Sequence, residues 1–250
     1  MVTGLDVWQA HFKDFPDRYA LVGGVACDLL MVDAGLPFRV TKDLDVVLLV
    51  EVLDAAFAQA FWDFVEAGGY ERKEKGEGGQ FYRFAKPATA GYPYMIELFS
   101  RAPEGFDLGE GSRLTPLPID ETVASLSAIL LDEAYYALLK ANLRDLAGLP
   151  LLNEAALIPF KARAYLDLSQ RKAAGEQVDS GDVKKHRNDV FRLLQLLPAD
   201  RALELPETIA ADMRAFLAAV ADDGTFKPSD IGLRLTRDDA LARLASAYRL

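Results

Sequence analysis

The sequence predicts an α+β fold: a small mixed β-sheet with helices on one face, followed by an α-helical C-terminal region. Three observations carry that expectation. Up to about residue 120, short apolar runs rich in β-branched residues alternate with helical stretches. From Ser127 the apolar residues recur at helical spacing almost without interruption. The composition, 51% hydrophobic and 26% charged, is that of a globular chain rather than a disordered or collagenous one. The 250 residues leave room for two domains, and the change of texture divides them as 1–120 and 121–250.

Residues 5–14 read as a short helix, ended by the turn at Pro16 and Asp17. Tyr19, Ala20, Leu21 and Val22 read as a buried strand running into Gly23 and Gly24. A helix over 25–33 follows, closed by Gly35 and Pro37. The run DLDVVLLVE from Asp43 is the strongest strand signal, because it is strongly apolar and half of its apolar residues are β-branched. Residues 55–67 place Phe57, Phe61, Trp62 and Phe64 on one packed helix face, and Gly68-Gly69 stops it. Residues 70–86 read as two strands around a charged, Gly-rich turn, either a plain hairpin tip or a flap. Residues 92–100 form a further strand. Residues 101–118, rich in Gly and Pro, read as loop with a short strand near 113–117. Helices are expected over 127–146, 156–175, 182–197, 207–223 and 237–250. Ser180 or Asp182 is the expected cap of the third.

The net charge of −10 argues against broad, sequence-independent binding of nucleic acid. The charge is unevenly spread. Residues 1–130 hold 11 basic against 20 acidic side chains, and residues 161–192 hold 8 against 5. An acidic half and a basic segment can serve one site, with carboxylates for metal ions and cations for phosphates. The single cysteine, Cys27, cannot form an intrachain disulfide and is expected in the core. Charges stand in the opening residues where a leader's apolar stretch would lie, and no run approaches a membrane span. A cytoplasmic protein is expected.

Three features carry chemistry. Gly23-Gly24 lies between a strand and a helix, where glycines permit close backbone approach and the helix start offers free N–H groups to an anion. It is also what a simple tight turn requires. Asp43-Leu44-Asp45 heads the apolar strand, so both carboxylates share one face. They repel unless a cation lies between them, and Mg²⁺ takes such oxygen ligands together with substrate phosphates. Glu97 is a lone acid inside Met95-Ile96-Glu97-Leu98-Phe99, costly there unless paired or bound to a cation. If the two strands are neighbours, a third carboxylate joins the cluster.

This order resembles the DNA polymerase β-type nucleotidyltransferase superfamily, on Val22-Gly23-Gly24 and Asp43-Leu44-Asp45. The run from Arg39 through Thr41 to Asp45 resembles the branch of AbiEii-type abortive-infection toxins. Lys161, within PFKARAYLDL, and Lys185 with Asp189, within KKHRNDVFRLL, resemble that branch's helical motifs, with Lys184 as an alternative to Lys185. Glu97 stands where many members carry Asp.

The resemblance implies a nucleotidyltransferase core using one or two Mg²⁺ ions and a nucleoside triphosphate. Asp43 and Asp45 would bind metal, and Glu97 would complete the metal site or act as base. Gly23 and Gly24 would hold the triphosphate, with Arg39 and Thr41 nearby. Lys161 would neutralise it, with Arg39 and Lys185 as weaker candidates. Asp189 would orient Lys161 or contact the base or sugar. The acceptor would be a hydroxyl of RNA, such as a tRNA end, or of a protein, with a cognate antitoxin as possible partner and no membrane. Two alternatives are a non-catalytic nucleotide-binding or protein-interaction module of the same fold, and an aminoglycoside-type nucleotidyltransferase. His186 is expected at the surface, and His11 has nothing to act with.

Overall fold

In the computed structural model, the described residues are 2–49, 54–71, 81–99, 129–130, 132–198 and 203–250. The chain runs α1 (Leu5–His11), β1 (Tyr19–Leu21), α2 (Gly23–Asp33), β2 (Asp43–Leu48), α3 (Ala55–Gly68), β3 (Phe81–Ala85) and β4 (Met95–Phe99). It continues with α4 (Glu133–Ala141), β5 (Leu143–Leu146), β6 (Leu149–Leu152), α5 (Glu154–Ala173), α6 (Ser180–Leu193), α7 (Glu207–Asp222) and α8 (Arg237–Ala247). The turn at 72–80 and the loop and strand expected over 101–118 lie outside the described residues.

The strands form one mixed sheet in the order β3-β4-β2-β1-β6-β5. β2 is central. It runs antiparallel to β1 and parallel to β4, with Asp43 opposite Met95 and Asp45 opposite Glu97. β3 is antiparallel to β4 and sets Arg83 opposite Glu97. The apolar residues Leu44, Val46, Val47 and Leu48 of β2 are all buried. Phe57, Phe61, Trp62 and Phe64 of α3 are buried as expected, and Phe61 and Phe64 meet Trp8 and Phe12 edge-on or tilted. Rings in these orientations set their positive edges against negative faces, so the cluster holds α1 and α3 together.

One helical expectation fails. Residues 143–152 form the β5–β6 hairpin, and β6 pairs in parallel with β1, Leu21 opposite Leu151. The sheet therefore draws strands from both sides of residue 120. Leu143 and Leu146, three apart, have helical spacing and fall on opposite faces of β5, so it is the turn that decides. Ala147 and Gly148 both have positive φ, 53° and 85°, which is the two-residue turn whose twist matches a hairpin.

Behind the sheet, α5 packs on α6 and α7 and reaches α2. Pro159 interrupts α5, since it has no N–H to give the carbonyl of Ala155. The hydroxyl of Tyr248 donates to that carbonyl at 2.8 Å. The C-terminal segment thus satisfies an α5 carbonyl six residues before Lys161. The cap of α6 is Asp179, which accepts from the amide of Gly181 at 2.7 Å, rather than Ser180 or Asp182. Asp179 has the extended backbone that a cap needs, whereas Ser180 is already helical. No described helix is long and apolar enough to cross a membrane.

Candidate active site

A cavity of about 540 Å³ opens between the sheet and the α5–α6 pair. On the sheet side, strand alternation turns Leu44 into the core and leaves Asp43 and Asp45 along the cavity. The register adds Glu97 beside Asp45. Glu97 is only 7% exposed. Burial, and then a hydrogen-bonded contact with Asp45, hold its carboxyl well above the usual range. Two carboxyl groups this close share either a proton or a cation. Arg83 opposes the shift, donating to Glu97 Oε1 from Nε at 2.9 Å and Nη2 at 2.5 Å.

The glycine pair fits against the same carboxylates. The amide of Gly24 donates to Asp45 Oδ2 at 3.0 Å. Gly23 has φ of 61°, and a Cβ on it would stand 1.8 Å from Asp45 Oδ2. A Cβ on Gly24 would stand 2.6 Å from Thr41 Oγ1. Both positions therefore exclude side chains so that β2 can approach the start of α2. In this arrangement the Gly24 amide positions Asp45.

The helix side carries the opposite charge. Asp189 is fully buried on α6. It accepts from Arg39 Nη2 at 2.9 Å and Arg192 Nη1 at 3.1 Å, and Lys161 Nζ lies 3.5 Å away. Burial alone would raise the Asp189 carboxyl; Lys161 and Arg39 outweigh it and hold the group below the usual value. With Lys185, and with Asp179 and Asp182 that also line the cavity, the described helix side holds four cations against three carboxylates, which leaves positive charge over. Lys161 and Arg39 present it to the cavity, while Asp189 lies behind the wall. Lys185 also lines the cavity and pairs with Asp182 at 2.8 Å; Lys184 is exposed.

The cavity therefore gathers Gly23, Gly24, Arg39, Thr41, Asp43, Asp45, Glu97, Lys161 and Lys185, and Asp189 supports it from behind. Among the described residues, no group of three or more His, Cys, Asp or Glu side chains is placed to hold a metal ion. The oxygen-only pair Asp43 and Asp45, on one strand face, is chemically suited to a hard divalent cation. Cys27 is buried, and burial pushes its thiol up to about 12, so it belongs to the core as expected.

Two site residues stand apart from the expectations. Arg83 was invisible because its partner Glu97 lies across a strand pair, which the sequence does not display. His186 is not at the surface: it is 7% exposed and lines the cavity. The signal was present, since His186, Asp189, Val190 and Leu193 recur at helical spacing, and all are buried. His11 does find a partner, the carbonyl of Ala60 at 2.7 Å, away from the cavity.

No family model matches this chain, and no curated protein matches it. Among solved structures, it is similar to the antibiotic-resistance factor ANT(2'')-Ia at 12% identity and a TM-score of 0.39, over 87% of this chain and 92% of that chain. A likeness of that size carries no argument about this chain's fold or activity.

Proposed function

We propose that the protein is a magnesium-dependent nucleotidyltransferase, moving a nucleoside monophosphate from a nucleoside triphosphate to a hydroxyl of RNA or protein. The observation that carries the reading is the cavity's division of charge. Asp43, Asp45 and Glu97 face it from two parallel strands, and Lys161 and Arg39 face it from the helix side. A triphosphate needs cations along its chain, and phosphoryl transfer is catalysed mainly by positioning and electrostatics.

Lys161 and Arg39 hold the triphosphate, and Asp189 fixes both cations in place. Asp43 and Asp45 would hold Mg²⁺. Such an ion lowers the pKa of a bound hydroxyl and offsets charge growing on the phosphate oxygens. The acceptor hydroxyl oxygen forms a bond to the α-phosphorus, and the bond from that phosphorus to the bridging oxygen breaks. Pyrophosphate leaves, and the hydroxyl proton passes to a carboxylate of the Asp43, Asp45 and Glu97 group. The basic surplus over 161–192 gives an RNA acceptor local attraction on an otherwise acidic chain. The resemblance to abortive-infection toxins supports an RNA or protein acceptor and a role as the toxin of a toxin–antitoxin pair.

The test is transfer of label from each of four α-labelled nucleoside triphosphates, with Mg²⁺, into total RNA or cell protein. Label that vanishes in Asp43→Asn with Asp45→Asn supports the reading and names the acceptor class. One observation favours a second reading, a nucleotide-binding module without turnover: Arg83 already neutralises Glu97. Tight nucleotide binding with no transfer into either pool selects that reading. Lys161→Ala should raise the nucleotide KM or lower kcat by about 10²–10³-fold, the effect of removing one group that stabilises developing charge. Wild-type kinetics would make Lys161 structural.

A further inference from the structure

Among the described residues, His186 is the one buried ionisable group of the cavity wall to which the mechanism assigns no task. It lies on α6, is 7% exposed, and lines the cavity beside Lys161 and Lys185. Among the described residues, neither of its ring nitrogens has a hydrogen-bond partner. A buried polar group left unpaired is expensive, and that expense is recovered when a ligand supplies the bond.

We propose that His186 is a specificity residue that hydrogen-bonds an uncharged group of the donor nucleotide, a sugar hydroxyl or the edge of the base. The inference rests on the nucleotidyltransferase reading and adds the part of the substrate recognised. Its surroundings favour an uncharged group over a phosphate as the target. Burial, then Lys161 and Lys185, hold the imidazole well below its ordinary value, with Arg39 acting in the same direction and Asp189 against it. The ring is neutral at physiological pH and offers one N–H and one lone pair. A neutral ring does not balance phosphate charge, whereas Lys161 and Arg39 do.

The neighbouring wall agrees. Leu157, Phe160, Lys161 and Ala164 follow at i, i+3, i+4 and i+7, so one face of α5 meets the cavity. Three of these four are apolar, and Gln177 adds a neutral amide to the lining. An apolar wall with few uncharged hydrogen-bonding groups suits a nucleoside better than a polyphosphate. Lys161 on this face serves the phosphates, and Leu157, Phe160 and Ala164 with His186 offer the nucleoside its wall.

The experiment is calorimetric titration of the full chain with Mg²⁺ present. The probes are the four ribonucleoside triphosphates, their 2′-deoxy and 3′-deoxy forms, and inorganic tripolyphosphate. His186→Ala should weaken the preferred ribonucleotide about tenfold, the effect of one lost hydrogen bond, and leave tripolyphosphate unchanged. His186→Gln, which keeps a donor and an acceptor, should restore most of the affinity. A loss that disappears with one deoxy form assigns the sugar hydroxyl. A loss that persists in both deoxy forms while preference among the four bases collapses assigns the base edge. Equal weakening of tripolyphosphate overturns the proposal, as does unchanged binding of every nucleotide by folded His186→Ala. If His186→Ala does not fold, His186→Phe against His186→Gln makes the same comparison, and equal affinities overturn it. A wild-type chain that binds neither nucleotide nor tripolyphosphate rejects the parent reading as well; nucleotide binding indifferent to His186 rejects this proposal alone.

Discussion

The sheet wall and the helix wall of the cavity hold ionisable groups by different means. On the sheet wall, backbone geometry does the placing: alternation along β2 aligns Asp43 with Asp45, and the β2–β4 register brings Glu97 to Asp45. Among the described residues, the guanidinium of Arg83 pairs with Glu97 there. On the helix wall, a fully buried Asp189 gathers Arg39, Lys161 and Arg192 from three segments of the chain. Among the described residues, carboxylates outnumber cations on the sheet wall and cations outnumber carboxylates on the helix wall. Like charges held together destabilise the free protein and favour a ligand that separates or neutralises them. The difference also separates two kinds of failure. Changes on the sheet wall strike chemistry, because strands keep their pairing without those side chains. Changes on the helix wall strike both packing and chemistry.

The largest effect that sharpens this contrast is Asp43→Asn with Asp45→Asn. Transfer should fall roughly 10³-fold, since several kcal/mol of charge stabilisation is lost. The melting temperature should stay near the wild-type value, because Asn keeps the shape and can still accept from the Gly24 amide. A chain that unfolds would instead make the acids structural.

Next comes Asp189→Asn. It strips the shared counter-charge from three cations and should cost about 3 kcal/mol of stability, the low end for breaking a buried ion pair, because Arg39 remains partly exposed. Urea unfolding measures the loss. A change under a few tenths would show that the cations are held by other means, and would erase the contrast between the walls.

Tyr248→Phe tests how the helix wall is supported from outside. It leaves the Ala155 carbonyl unpaired beside Pro159 and should cost roughly 1–3 kcal/mol. Nucleotide affinity should drop with it if the segment carrying Lys161 depends on that bond; unaltered stability would show that water serves the carbonyl equally well.

The smallest effect is a slope with pH. Burial, Lys161 and Lys185 depress the imidazole of His186, so the unfolded chain takes up its proton more readily than the folded one. Stability on this account is fully present above about pH 6.5 and falls as the pH drops below it, by at most ~1.4 kcal/mol per unit. Unfolding free energies at pH 7.5, 6.5 and 5.5 should show the slope, and His186→Gln should flatten it relative to wild type. Parallel curves for the two chains would refute the assignment.

Much of the site was legible because local rules wrote it. The period of two puts Asp43 and Asp45 on one face whatever lies around them. A glycine pair after a strand announces a backbone that must pass close to something, and Asp45 and Thr41 are among what it passes. The helical stripe of α6 already held His186 among buried positions, but a histidine in a run of cations reads equally well as solvated. The β5–β6 hairpin was missed because leucines three apart continue the helical period of the preceding run, and the positive φ of Ala147 and Gly148 turns the chain into a hairpin instead.

By itself the sequence determined the alternation of elements, the shared face of the two aspartates, and the packed face of α3. Those follow from period and side-chain type, which act over a few residues. Tertiary structure alone decided that Glu97 faces Asp45, that Arg83 faces Glu97, that Asp189 joins Arg39 to Lys161, and that Tyr248 completes α5. Each of these pairs groups 14 to 150 residues apart, and such contacts depend on strand order and helix packing rather than on any local pattern.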